Sequence, residues 1–145
     1  MRLYALLFTM VTAASAADYL VYVGTYTNAG KSQGIYAYHF DSDTGKLAPV
    51  GLAGEATNPS FVAIHPNRKY LYAVSEVSGR GGERTGMVGA FSIDPKTAKL
   101  TPLNQVPTRG NGPCYVAIDK TGKAAMVPET EAGAEGIKVA SRVHL

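Results

Sequence analysis

A sentence written twice limits this chain more than anything else in it. Pro59, Val62, Ala63, Ile64 and Lys69 recur 54 residues later as Pro113, Val116, Ala117, Ile118 and Lys123. Asp41, Thr44, Lys46, Leu47 and Pro49 recur 53 residues on as Asp94, Thr97, Lys99, Leu100 and Pro102. Within each copy the apolar runs are short and rich in β-branched and aromatic residues. Phe61-Val62-Ala63-Ile64 and Tyr70-Leu71-Tyr72-Ala73-Val74 flank His65-Pro66-Asn67-Arg68, which is turn chemistry, so Asn58 to Glu76 contains a β-hairpin. The apolar residues do not alternate cleanly with polar ones, which predicts strands covered on both faces by neighbouring sheets.

Four short strands per repeat of about 53 residues are the signature of a β-propeller, whose blades are four-stranded antiparallel sheets around a channel. The fold class expected is therefore all-β. From inside to outside, one complete blade reads Asn58 to Pro66, Lys69 to Glu76, Gly86 to Asp94 and Leu100 to Val106. Tyr19 to Val23, Gly34 to Phe40 and the strand from Lys46 are the last three strands of a preceding blade, with Ile35, Ala37 and His39 on one face and Tyr36, Tyr38 and Phe40 on the other. The residues after Gly112 open a third blade. Residues 18–127 thus form a partial propeller of about two blades.

Because strands alternate in direction, the connections divide between two ends. Asp41 to Lys46, His65 to Lys69, Asp94 to Lys99 and Asp119 to Lys123 are short, regular turns at one end. Thr25 to Gly34, Asn58 to Ser60, Glu76 to Thr85 and Thr108 to Cys114 are longer and irregular, and lie at the other. Binding chemistry belongs on the irregular end, where a rigid scaffold carries its variable loops.

The flanks read differently. Arg2, the apolar run Leu3 to Val11 and Ala14-Ser15-Ala16 predict a signal peptide over residues 1–17, and with it a secreted or periplasmic protein. The apolar run is too short to span a bilayer, so no membrane attachment is expected after cleavage. The plain alternative is a buried N-terminal strand or helix. After Val127 the repeat calls for an apolar strand, but Pro128-Glu129-Thr130-Glu131 follows, and a proline argues against a central strand. Residues 128–145 are accordingly expected to be a divergent tail outside the repeat, by a frameshift, an assembly error or an alternative end, with a short helical or disordered tail as the other reading.

Composition excludes some functions. The formal charge of +3 comes without any basic run interleaved with aromatics, so a nucleic-acid partner is not expected. Cys114 is the single cysteine, and His39, His65 and His144 show no ligand spacing, so neither a disulfide nor a metal site is expected, and nothing calls for a cofactor. Gly79-Arg80-Gly81-Gly82 has no following helix and is not a phosphate loop.

Several motifs together carry a resemblance. Val23-Gly24-Thr25-Tyr26-Thr27, the run from Gly34 through Asp41 to Leu47, Asn58-Pro59-Ser60-Phe61 with His65-Pro66, and Leu71 to Glu76 resemble the start of the lactonase family of seven-bladed propellers. That family includes the propeller-type 6-phosphogluconolactonases and the fungal carboxy-muconate cyclases, and the likeness covers Tyr19 to about Val127. It implies a lactone hydrolase acting on a small-molecule lactone at the mouth of the channel. It also implies that this chain is an N-terminal fragment, inactive alone, because the family's His, Arg and Glu catalytic positions lie on later blades. The catalytic residues are therefore unknown.

Ester hydrolysis needs a base for water and donors for the carbonyl oxygen. Glu76 is the one candidate base, or a ligand for a sugar hydroxyl; a solvated strand-end glutamate is the plain alternative. Asn58, Ser60, Arg80 and Arg109 are substrate-binding candidates on the same end, with Arg84 beside them, although loop arginines commonly serve as surface charge. Thr25, Tyr26 and Asn28 read as rim or packing residues. Apolar faces at Phe61, Val62, Ile64 and Tyr72 are expected to stand open, leaving the chain at best marginally folded by itself. A non-catalytic secreted propeller that binds a ligand or protein partner is the other function class.

Overall fold

The computed structural model describes residues 18–77, 86–128 and 139–140. Among them there is no helix. β1 (Asp18–Gly24), β2 (Gly34–Asp41) and β3 (Leu47–Glu55) form one antiparallel sheet in that order. β4 (Val62–Ile64), β5 (Tyr70–Ser75), β6 (Met87–Ile93) and β7 (Leu100–Pro107) form a complete four-stranded sheet, again in chain order. β8 (Ala117–Ile118), β9 (Ala125–Met126) and β10 (Val139–Ala140) make a third.

Register shows that the sheets are copies of one unit. Ile35 on β2 faces Gly24 on β1, and its repeat equivalent Val88 on β6 faces Val74 on β5. Hence β1 matches β5 and β2 matches β6, which leaves the first sheet without a counterpart of the inner strand β4 among the described residues. Both sheets break register at the same repeat position, between Ala37 and Tyr38 in one and between Ala90 and Phe91 in the other. A bulge thus sits at the same place in both copies, and the first sheet adds a second between Ile35 and Tyr36.

The cores lie between sheets. Tyr22, Ile35, Ala37 and Ala53 of the first sheet pack against Leu71, Ala73, Phe91 and Leu100 of the second. Tyr72, Val74, Val88 and Ala90, from the other face of the second sheet, pack against Val116 and Val127 of the third. Alternate residues of β5 therefore go to opposite cores, and from Leu71 to Ser75 all are buried. Small residues permit this approach: a Cβ on Gly54 would come to 3.0 Å of the Leu100 side chain.

The expectation of open apolar faces is corrected in part. Tyr72 is only 3% exposed, because the third sheet covers it, whereas Ile64 on the inner strand is 43% exposed. Phe61 and Val62 are half-buried, each packed against one of the two cores. The inner strand is also shorter than Asn58 to Pro66. Asn58 has a left-handed backbone (φ 43°), and regular pairing begins only at Val62.

At the end of the described chain, Pro128 continues the line of β9 and its carbonyl accepts from Cys114 N at 3.4 Å. Val139–Ala140 pairs antiparallel with Ala125–Met126, the position that β6 holds beside β5. Residues 1–17, 78–85, 129–138 and 141–145 lie outside the described residues, and with them the signal segment, Arg80 and Arg84.

Candidate functional site at the loop end

The turn end is built by repetition of one device. Asp41 Oδ1 accepts from the backbone N–H groups of Asp43 and Thr44, and Asp94 Oδ1 from those of Lys96 and Thr97. Asp119 accepts from the Thr121 hydroxyl, Thr121 N and Ala124 N. These bonds favour the carboxylate, so all three aspartates titrate low. The Thr44 amide is the main cause at Asp41 and the Lys96 amide at Asp94, while the Thr121 hydroxyl leads at Asp119, which is lowered to about 2.

His65 belongs to this end. Its Nδ1 accepts from Asn67 N at 3.1 Å, so Nε2 carries the proton and donates to Gly122 O, also at 3.1 Å, tying one inner turn to the next. Both ring nitrogens are thus engaged in structural bonds. A cavity of about 630 Å³ opens here, lined by Tyr19, Leu20, Tyr22, Ile64, His65 and Arg68 among others. It lies along the inner edge of β1, where among the described residues that sheet has no neighbour equivalent to β4. Its lining combines β1 with the turn after β4, and size alone does not make it the site.

The loop end is built around Asn58. Its side chain accepts from Thr27 N (2.9 Å) and Thr27 Oγ1 (3.1 Å) and donates to Asn28 Oδ1 (2.8 Å) and Glu76 O (3.2 Å). Its carbonyl accepts from Ser60 N at 2.7 Å and Glu76 N at 3.0 Å. Asn58 is 2% exposed, and every amide atom is used within the protein. The sequence suggested it as a substrate ligand; the structure turns it inward, where it holds Glu76 and the Thr25–Asn28 segment in one arrangement. The left-handed backbone that allows this recurs at the repeat equivalent, Gly112 (φ 60°), and each is followed by a buried proline, Pro59 or Pro113. Asparagine tolerates this conformation and adds the amide that glycine lacks.

Beside this node the Tyr26 hydroxyl donates to Glu76 Oε2 at 2.8 Å. Register makes the two residues equivalents in successive blades, each two residues beyond the matched pair Gly24 and Val74. Tyr26 is 58% exposed and Glu76 partly so, and the bond to the carboxylate is the main reason that the Tyr26 phenol titrates above its usual value. Ser60 Oγ is buried beside the Tyr26 hydroxyl, close enough to favour the phenolate form, but short of hydrogen-bond geometry, which leaves it without a partner among the described residues. Cys114 is exposed at the same mouth.

The structure thus brings Asn58, Ser60 and Glu76 together and adds Tyr26, which sequence reasoning left as a rim residue. Its equivalence to Glu76 in the repeat was the signal available. Arg109 is on the same end but follows the outer strand β7, exposed and left-handed (φ 63°); among the described residues no hydrogen bond or ion pair joins it to Glu76. Among the described residues, no group of three or more His, Cys, Asp or Glu is arranged to hold a metal.

Comparison with known proteins now decides the family. The profile described as lactonase, 7-bladed beta-propeller matches residues 20–134. The chain belongs to this family. It is 34% identical over 137 residues to a Bacillus subtilis 6-phosphogluconolactonase, covering 87% of this chain and 38% of that protein. It is 31% identical over 103 residues to a Formosa agariphila 6-phosphogluconolactonase, covering 71% of this chain and 28% of the relative. The solved structure of a Pseudomonas aeruginosa periplasmic gluconolactonase superposes with a TM-score of 0.64, at 33% identity over 76% of this chain and 30% of the other. The chain therefore spans well under half the length of the relatives that it matches.

Proposed function

We propose that this chain forms the first blades of a propeller that hydrolyses a sugar lactone of the 6-phosphogluconolactone type, and that its loop end makes part of the substrate mouth. The observation that carries the reading is the half-exposed Glu76 carboxylate, held at that end by Asn58 and Tyr26. The family match and the relatives named 6-phosphogluconolactonase support it. A held carboxylate can accept a sugar hydroxyl or a proton from water, and both serve ring opening. The 145 residues alone are not expected to turn over lactone: the described residues hold one four-stranded sheet and two three-stranded ones, and the chain covers 38% of the Bacillus subtilis relative.

The protein is exported, with cleavage near Ala16 or Ala17, and acts outside the cytoplasm; the likeness to a periplasmic gluconolactonase supports this. N-terminal mass spectrometry after bacterial expression tests it, and an intact Met1 on cytoplasmic protein would remove the export claim.

The test of activity joins residues 18–127 to the later blades of the Bacillus subtilis relative and follows 6-phosphogluconolactone hydrolysis above the spontaneous rate. A folded chimera with enzyme-dependent turnover is expected. A folded but inert chimera would favour the binding-module reading, and turnover by the 145-residue chain alone would show that later blades are not needed.

A further inference from the structure

We infer that Tyr26 and Glu76 form a diol-recognition subsite, which selects polyhydroxylated rings over bare lactones, and that Glu76 acts there as a hydroxyl acceptor. This deepens the lactonase reading and rests on it for the identity of the ring. Three observations converge on the pair.

First, the carboxylate is already committed on one side. Tyr26 donates to Oε2 at 2.8 Å, and among the described residues no other side chain hydrogen-bonds the Glu76 carboxylate. A carboxylate held by a donor on one oxygen is a well-oriented acceptor on the other. Oε1 remains to take one hydroxyl of a ligand, and the Tyr26 oxygen, whose proton points at Glu76, has lone pairs for a second. Two acceptors side by side match the two donors of a vicinal diol.

Second, the pair is preorganised from behind. Both backbone groups of Glu76 are bonded to Asn58, and Asn58 also fixes Thr27, the residue after Tyr26. Thr25, just before Tyr26, donates to Gly34 O at 2.6 Å and contacts the Ser32 hydroxyl. Little ordering is left for a ligand to impose.

Third, Ser60 Oγ is buried beside Tyr26 with no hydrogen-bond partner among the described residues. A buried hydroxyl without a bond is uncommon in a native structure and calls for a partner such as a water or a ligand hydroxyl.

The test uses two lactams that do not hydrolyse, so it does not depend on turnover. Binding of D-glucono-1,5-lactam and of hydroxyl-free δ-valerolactam to the full chain is followed by NMR, on the amides of Tyr26 and Glu76. Gluconolactam is expected to shift both amides and valerolactam neither. Glu76→Gln should weaken gluconolactam by about tenfold, the scale of one hydrogen bond to a charged group. Tyr26→Phe should weaken it less, and neither substitution should alter the unfolding midpoint. Equal binding of the two lactams, no binding of gluconolactam, or full affinity in Glu76→Gln would each overturn the inference. Lactone hydrolysis measured separately reports on the lactonase reading, so an inert protein that still prefers gluconolactam separates the two failures.

Discussion

The two ends of this structure are made from the same strands, yet they differ in how their connections are held. At the turn end each bend uses its own aspartate or histidine, and the same bonds recur in copy after copy: Asp41 and Asp94 in the outer turns, His65 and Asp119 in the inner ones. Left-handed residues recur with them, as Gly45 and Ala98 in one class and Arg68 and Gly122 in the other. At the loop end one residue, Asn58, holds segments far apart in sequence, and its repeat equivalent Gly112 has no side chain with which to do so. Repetition stabilises the scaffold, while departure from repetition produces a distinct surface.

That contrast can be broken most directly at Asn58. Asn58→Ala removes four side-chain hydrogen bonds in a buried setting and leaves a left-handed alanine, so a loss of about 3 kcal/mol is expected by urea unfolding. Asn58→Gly should recover only the backbone part. A loss below about 1 kcal/mol for alanine would show that the node is not the organiser of this end.

Acid should act on the opposite end. Asp119 titrates at about 2 when folded against an ordinary value of 3.8, and Asp41 and Asp94 are also lowered. A depressed carboxyl stabilises the fold above its unfolded value and loses that contribution as pH falls through its folded one. The unfolding midpoint should therefore decline between about pH 4 and pH 2, and Asp119→Asn should flatten that decline. A midpoint unchanged over this window would contradict the bonding described for the turns.

A smaller gain is expected at Arg68, which is exposed at φ 61° where the equivalent residue is glycine, Gly122. Arg68→Gly should stabilise by up to about 1 kcal/mol, because the left-handed cost disappears. The smallest effect belongs to Glu76→Gln, which should leave stability within about 0.5 kcal/mol, since the Tyr26 bond can be kept by the amide oxygen. A large loss there would make Glu76 part of the scaffold.

Much of the architecture could be read from residue order. The duplicated Asp-x-x-Thr-x-Lys-Leu and Pro-x-x-Val-Ala-Ile patterns located both hairpin classes, and the apolar continuity of β5 required sheets on either side. The site was only partly legible. Glu76 and Ser60 were placed at the loop end by strand direction, but an asparagine in a loop reads the same whether it points out or in. Tyr26 was passed over because its partner is 50 residues away, and only register showed that they meet.

The sequence by itself determined the repeat, the strand class and the end on which irregular loops gather, because these depend on local turn chemistry and on apolar patterning along the chain. The tertiary structure alone decided that Asn58 faces inward, that Tyr26 reaches Glu76 and that Tyr72 is covered, since each depends on the distance between sheets and not on any neighbour in sequence. Hydrogen bonds between blades require the blades to pack first, and that packing is a property of the stacked apolar faces together.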